Sequence, residues 1–165
     1  MTDPAALALT RLTLTDFRNY AELRLDVGSK LIALWGPNGA GKTNLLEAIS
    51  LLAPGRGLRG ASFDALARHH ASGTWAIAGE LDTPSGSVSL GTGWNRQSGE
   101  GRSVMIDGRV QKSSGTLGQH LRVLWVTPAM DRLFSGPASD RRRAASPSTI
   151  RTLRKQYMPF AASTG

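Results

Sequence analysis

Eight consecutive residues, Gly36-Pro37-Asn38-Gly39-Ala40-Gly41-Lys42-Thr43, restrict what this chain can fold into more than any other stretch. They fit the pattern of glycine, four residues, then Gly-Lys-Thr, which builds a phosphate-binding loop when a strand runs in and a helix runs out. Both flanks read that way. Leu31, Ile32, Ala33, Leu34 and Trp35 form an unbroken apolar run, expected to be a buried central strand. Beyond Lys42, the residues Leu45, Leu46, Ile49 and Leu52 recur at helical spacing, and Pro54-Gly55 ends the helix. In such a loop the glycines let backbone amides approach phosphate oxygens, and the helix start adds the positive end of its dipole. Lys42 is then placed to meet β- and γ-phosphates, and Thr43 to give its hydroxyl to Mg²⁺. Asn38 reads equally as lining the γ-phosphate side or as making the turn. A chance glycine-rich turn is the plainer alternative, and the strand and helix on either side argue against it.

Hydrolysis asks for more than this loop. It needs a carboxylate on a neighbouring strand to hold Mg²⁺ through water, and a group that positions the attacking water. No run of four apolar residues ends in Asp-Asp or Asp-Glu; Leu124-Trp125-Val126 stops at Thr127. Nucleotide binding is therefore expected of this chain and turnover is not.

The segments on either side of the loop read as β structure. Leu7, Leu9, Leu12, Leu14 and Phe17 alternate with a slip near Thr10 and Arg11, which suits a strand with one irregular step. Leu23, Leu25 and Val27 alternate with Glu22, Arg24 and Asp26, as in a half-exposed hairpin arm. Residues 74–112 hold several short apolar runs, with Asp107-Gly108 placed as a two-residue hairpin turn, and predict an antiparallel β layer. Residues 121–126 predict one more strand, returning to the central sheet and stopped at Thr127-Pro128. Trp75, Trp94 and Trp125 fall on predicted strands and are expected to pack in the core rather than stack on bases. His69, His70 and His120 have no carboxylate or cysteine companions at ligand spacing and read as surface or turn residues.

With 165 residues, one hydrophobic core is expected. The net charge of +8 first suggests a polyanionic partner. However, residues 1–140 carry 14 basic and 12 acidic side chains, while Arg141, Arg142, Arg143, Arg151, Arg154 and Lys155 follow with no acid among them. The excess is thus mainly a property of the last 25 residues. The absence of cysteine excludes disulfides, zinc thiolate sites, iron–sulfur clusters and a thiol nucleophile. No apolar run approaches the ~20 residues that span a bilayer, so a soluble, cytoplasmic chain is expected.

Taken together, Leu12-Thr13-Leu14-Thr15-Asp16-Phe17-Arg18-Asn19-Tyr20, the loop, Asn44-Leu45-Leu46-Glu47-Ala48-Ile49, Thr127-Pro128, and Gly136-Pro137 with Arg141-Arg142-Arg143 resemble the N-terminal part of the RecF family. These are bacterial DNA repair ATPases related to the SMC and ABC ATPases, and the resemblance covers about residues 8–143. It implies an α/β P-loop NTPase fold, an incomplete first lobe of an ABC-type head with an antiparallel β layer. It also implies ATP with Mg²⁺ at residues 36–43, an ATP-dependent homodimer in the full-length family, and binding to single-stranded, gapped or linear duplex DNA. RecO and RecR mediators, in recombinational repair and the SOS response, are the implied partners.

After Arg143 the family continues with Phe-Leu-Asp and a long helical arm, whereas this chain has Ala144-Ala145-Ser146-Pro147. Residues 1–143 are accordingly expected to be a partial ATP-binding head, and residues 144–165 a tail outside the family pattern, from a truncated or frameshifted reading frame. Arg56 and Arg59, in a glycine-rich stretch past the helix, are candidate DNA contacts; the arginine triplet reads more simply as a solvated face. Two other functions compete: a small P-loop phosphotransferase, and a basic DNA-binding module in which the loop is incidental.

Overall fold

The computed structural model describes residues 7–28, 31–69, 71, 73–98 and 101–125. Its first strand, β1 (Ala8–Phe17), carries the predicted slip: pairing with β3 (Thr74–Thr83) shifts register between Leu9 and Arg11. The extra residue lets Leu9 pack on the same core as Leu12 and Leu14, although strict alternation would put Leu9 on the opposite face from both. β1 turns back through Arg18 and Asn19 into β2 (Tyr20–Asp26), pairing Phe17 with Tyr20 and Leu14 with Leu23.

The turn is unusual, because Asp16 and Arg18 have φ of 47° and 55°, the left-handed region that β-carbons resist. A neighbouring segment holds it. Arg18 N–H donates to Leu66 O at 2.8 Å, Arg68 N–H donates to Asp16 O at 2.7 Å, and Arg68 Nε pairs with Asp16 Oδ1 at 2.8 Å.

β3, β4 (Gly86–Asn95), β5 (Ser103–Ile106) and β6 (Arg109–Val110) form an antiparallel meander, giving the sheet order β2-β1-β3-β4-β5-β6. The predicted layer over residues 74–112 is this meander, and Asp107 and Gly108 turn it with φ of 47° and 74°. Leu12, Leu14, Trp75, Ile77, Leu81, Val88, Leu90 and Val104 point to one face. There they meet Leu45, Ala48 and Leu51 of α1 (Lys42–Leu51), together with Leu52, Leu66 of the short α2 (Phe63–Leu66), and Leu117. At Gly79 the helix side comes so near that an added β-carbon would lie 2.5 Å from Leu52 Cδ1. Phe17 meets Trp75 edge-on at 5.8 Å, and the Trp75 indole donates to Phe63 O at 2.7 Å. Trp94, on β4, packs partly buried against the core.

Two predicted strands are not strands here. Residues 31–35 adopt no regular structure, and Leu31 and Trp35 are 89% and 92% exposed. Residues 121–125 likewise lack strand pairing, with Trp125 exposed instead of in the core; Val126 lies outside the described residues. The physical reason is the same for both: a strand exists through hydrogen bonds to a neighbour, and the antiparallel sheet offers neither run an edge among the described residues. Chain contacts group Met1–Val123 into one unit and Leu124–Gly165 into another, of which only Leu124 and Trp125 are described. The arginine triplet and residues 144–165 lie outside the described residues. No helix among the described residues is long and apolar enough to cross a membrane.

Candidate nucleotide-binding site

The glycine loop curls because Gly36, Gly39 and Gly41 take φ of 143°, 85° and 96°. Ala40 N–H closes a turn onto Pro37 O at 3.3 Å, and Asn44 and Leu45 N–H both donate to Gly41 O, at 2.8 and 3.1 Å, starting α1. The amides of Gly41, Lys42 and Thr43 meet no acceptor among the described residues. They form the first turn of a helix, where N–H groups lack intrahelical partners. Lys42 folds back over the loop, its ammonium donating to Gly36 O at 2.7 Å and Pro37 O at 2.8 Å. A mobile cation beside three unpaired amides is a donor set suited to phosphate oxygens. Thr43 is exposed at the same helix start, and Asn38 is exposed in the loop. These residues therefore fit a nucleotide triphosphate with its cation, Lys42 and the amides facing phosphate and Thr43 offering a hydroxyl.

The loop is aimed by the turn between β1 and β2. An added β-carbon on Gly41 would lie 2.5 Å from Tyr20 Oη and 2.7 Å from Asn19 Nδ2, so Asn19 and Tyr20 close directly on the loop's exit. Burial raises the Tyr20 phenol above its usual pKa, with the Asn19 hydrogen bond pulling the other way. Asn19 Oδ1 accepts from Asn44 Nδ2 at 2.8 Å. Arg18 Nε and Nη2 donate to the two oxygens of Glu47, each at 2.9 Å, and Glu47 is 1% exposed. Each residue of Phe17-Arg18-Asn19-Tyr20 thus has a separate job: Phe17 anchors in the core, Arg18 holds α1, and Asn19 with Tyr20 shape the loop. The motif was visible in the sequence, but which atoms it touches was not.

Arg59 and Arg56 part company. Arg59 Nη1 donates to Glu47 Oε2 at 3.1 Å and Asn44 Oδ1 at 3.0 Å, so its guanidinium faces α1. Arg56 lies over the Phe63 ring at 5.8 Å and has no carboxylate partner among the described residues. Arg18, Asn44 and Glu47 were not singled out as site residues by sequence reasoning.

A sequence model described as an AAA domain matches residues 11–114, from β1 to the turn beyond β6. The chain belongs to the AAA-domain family. Among curated AAA-domain relatives it is 52% identical over 141 residues to the DNA replication and repair protein RecF of Mesorhizobium japonicum, and 49% identical over 141 residues to that of Rhizobium meliloti. Each alignment covers 85% of this chain but 37% and 38% of those proteins, so the chain spans under two fifths of their length. The resemblance to RecF is thereby borne out. Among solved structures, the recombination mediator protein RecF with ATP superimposes with a TM-score of 0.74 at 23% identity, covering 93% of this chain and 41% of that one. An SMC ATPase gives 0.66 at 15% identity, covering 82% of this chain and 95% of that one. The fold is that of the P-loop heads of RecF and SMC ATPases: an α/β fold with an antiparallel layer.

Proposed function

We propose that this chain is an ATP-binding head of a RecF-like DNA recombination and repair protein acting in the cytoplasm, with residues 36–43 taking the triphosphate. The amides of Gly41, Lys42 and Thr43 bind phosphate oxygens, and the Lys42 ammonium exchanges the carbonyls of Gly36 and Pro37 for the β- and γ-phosphates. Thr43 supplies a hydroxyl to Mg²⁺, which when bound offsets phosphate charge. The observation that carries this reading is the lysine poised over three unpaired amides at the start of a helix anchored in the core. DNA with single-stranded, gapped or linear duplex character is the proposed macromolecular ligand, with RecO- and RecR-like mediators as partners and ATP-dependent pairing of heads. Residues 1–143 make up the head and residues 144–165 a separate tail. Turnover by this chain alone is not part of the proposal: Glu47, the acid in α1, is committed to Arg18 and Arg59. A phosphotransferase is disfavoured because α1 is followed by an antiparallel meander instead of alternating strands and helices.

Thermal unfolding with and without Mg-ATP tests the reading. Ligand at a hundredfold over its Kd stabilises by about 2.7 kcal/mol. The shift is expected in the wild type and absent in Lys42→Ala; an equal shift in both refutes the assignment. Steady phosphate release by the chain alone contradicts the absence of turnover.

A further inference from the structure

The end of α1 away from the phosphate loop opens onto a cleft of about 310 Å³ lined by Arg56, Phe63, Arg102, Gln111, Lys112 and Ser113, among others. With α1 ten residues long, the two ends lie ~15 Å apart. Three cations line this cleft and no acid does. Arg102 is largely buried, yet Nη1 and Nη2 donate only to neutral carbonyls, Leu51 O at 2.6 Å and Ala53 O at 3.0 Å. Burial lowers its pKa without approaching neutrality. Those carbonyls carry part of the negative end of the α1 dipole, which offsets some of one charge and leaves the other two unmatched. Arg56 and Lys112 are exposed and meet no carboxylate among the described residues. Elsewhere in the sheet arginines are paired with acids: Arg11 with Asp26 and Glu80, Arg18 and Arg59 with Glu47, Arg68 with Asp16. The cleft is the exception.

Cations converging without counter-ions in a concave site, beside the hydroxyls of Ser113 and Ser114, suit an oxyanion with several oxygens. We infer that this cleft seats a backbone phosphate of DNA, with Arg56 and Lys112 as its ligands and Arg102 as the fixed charge behind them. The inference rests on the DNA-binding reading above and gives it an address. A phosphate held this way contributes to affinity whatever the base sequence, because no base edge is read.

The test uses the full 165-residue chain and a fluorescent single-stranded oligonucleotide, titrated at several salt concentrations. Arg56→Ala/Lys112→Ala is compared with wild type; the basic residues after position 140 are common to both and cancel. Neither side chain belongs to the core, so an unchanged Tm is expected. DNA binding is expected to weaken about 10-fold, with a salt slope shallower by about 1. The Mg-ATP thermal shift is expected to stay at its wild-type size. If wild type binds DNA and the variant binds it equally, the cleft assignment is wrong and the DNA reading survives. If wild type binds no DNA, both fall. If the variant instead loses the ATP shift and keeps DNA, the cleft serves the nucleotide and the inference is overturned.

Discussion

Arg18 and Glu47 are joined by two parallel hydrogen bonds of 2.9 Å, linking the turn after β1 to the middle of α1, with the carboxylate wholly buried. Such a pair contributes little as a pair but much when halved, since one charge is then left without its partner. Glu47→Ala strands Arg18 and frees Arg59 from one of its two acceptors. It is expected to cost about 3 kcal/mol in urea unfolding. Arg18→Ala is expected to cost a similar amount, and the double variant clearly less than the sum. Additive losses would show that the two do not act as a unit.

Gly41→Ala faces two obstacles: a φ of 96° and the Asn19–Tyr20 lid. The left-handed backbone alone costs ~1–2 kcal/mol. The side chain also displaces Tyr20 from the loop exit. The expected outcome is a folded protein with a lower Tm and no Mg-ATP shift; a wild-type shift would mean that the loop tolerates another shape.

Gly79→Ala places a methyl group into Leu52, which is fully buried and cannot swing away. A loss of ~1–3 kcal/mol is expected, as for overpacking in general. Combining it with Leu52→Ala is expected to recover part of that loss, because the new methyl fills some of the space the leucine leaves. A double variant as unstable as the sum of the two singles would show that the clash lies elsewhere.

Burial raises the Tyr20 pKa above 10 in the folded chain. The unfolded chain therefore loses this proton first as pH rises. The contribution is intact below pH ~10 and disappears as pH climbs through the folded pKa. In Tyr20→Phe the fall of Tm between about pH 9.5 and 11 is expected to be shallower than in wild type. A parallel fall would assign the alkaline loss to other groups.

What could be read from the sequence was what local pattern encodes. The slip at Thr10 and Arg11 showed because Leu9 and Leu12 cannot share a face without it, and Asp107-Gly108 because few other residue pairs accept that turn. The loop was legible from its glycines and lysine. Residues 31–35 were misread because an apolar run states that a segment can be buried, not what lies beside it. The cleft at Arg56 was half seen: one cation stood in a suggestive glycine stretch, but Arg102 and Lys112 reach it only through the pairing of β4 with β5 and β5 with β6. Arg59 looked equivalent to Arg56 in sequence, and only the fold separates them.

The phosphate loop is gripped from one end. Its exit is pinned by Asn19, Tyr20 and a helix locked into the core, while the residues leading into it, 31–35, stand in solvent. A ligand that needs both ends in place binds with an apparent Kd equal to the intrinsic value divided by the fraction of molecules already arranged. Affinity for nucleotide thus becomes a gauge of how well residues 31–35 are seated. Any strand that docks beside them tightens nucleotide binding without touching the nucleotide, and by reciprocity bound nucleotide favours that docking.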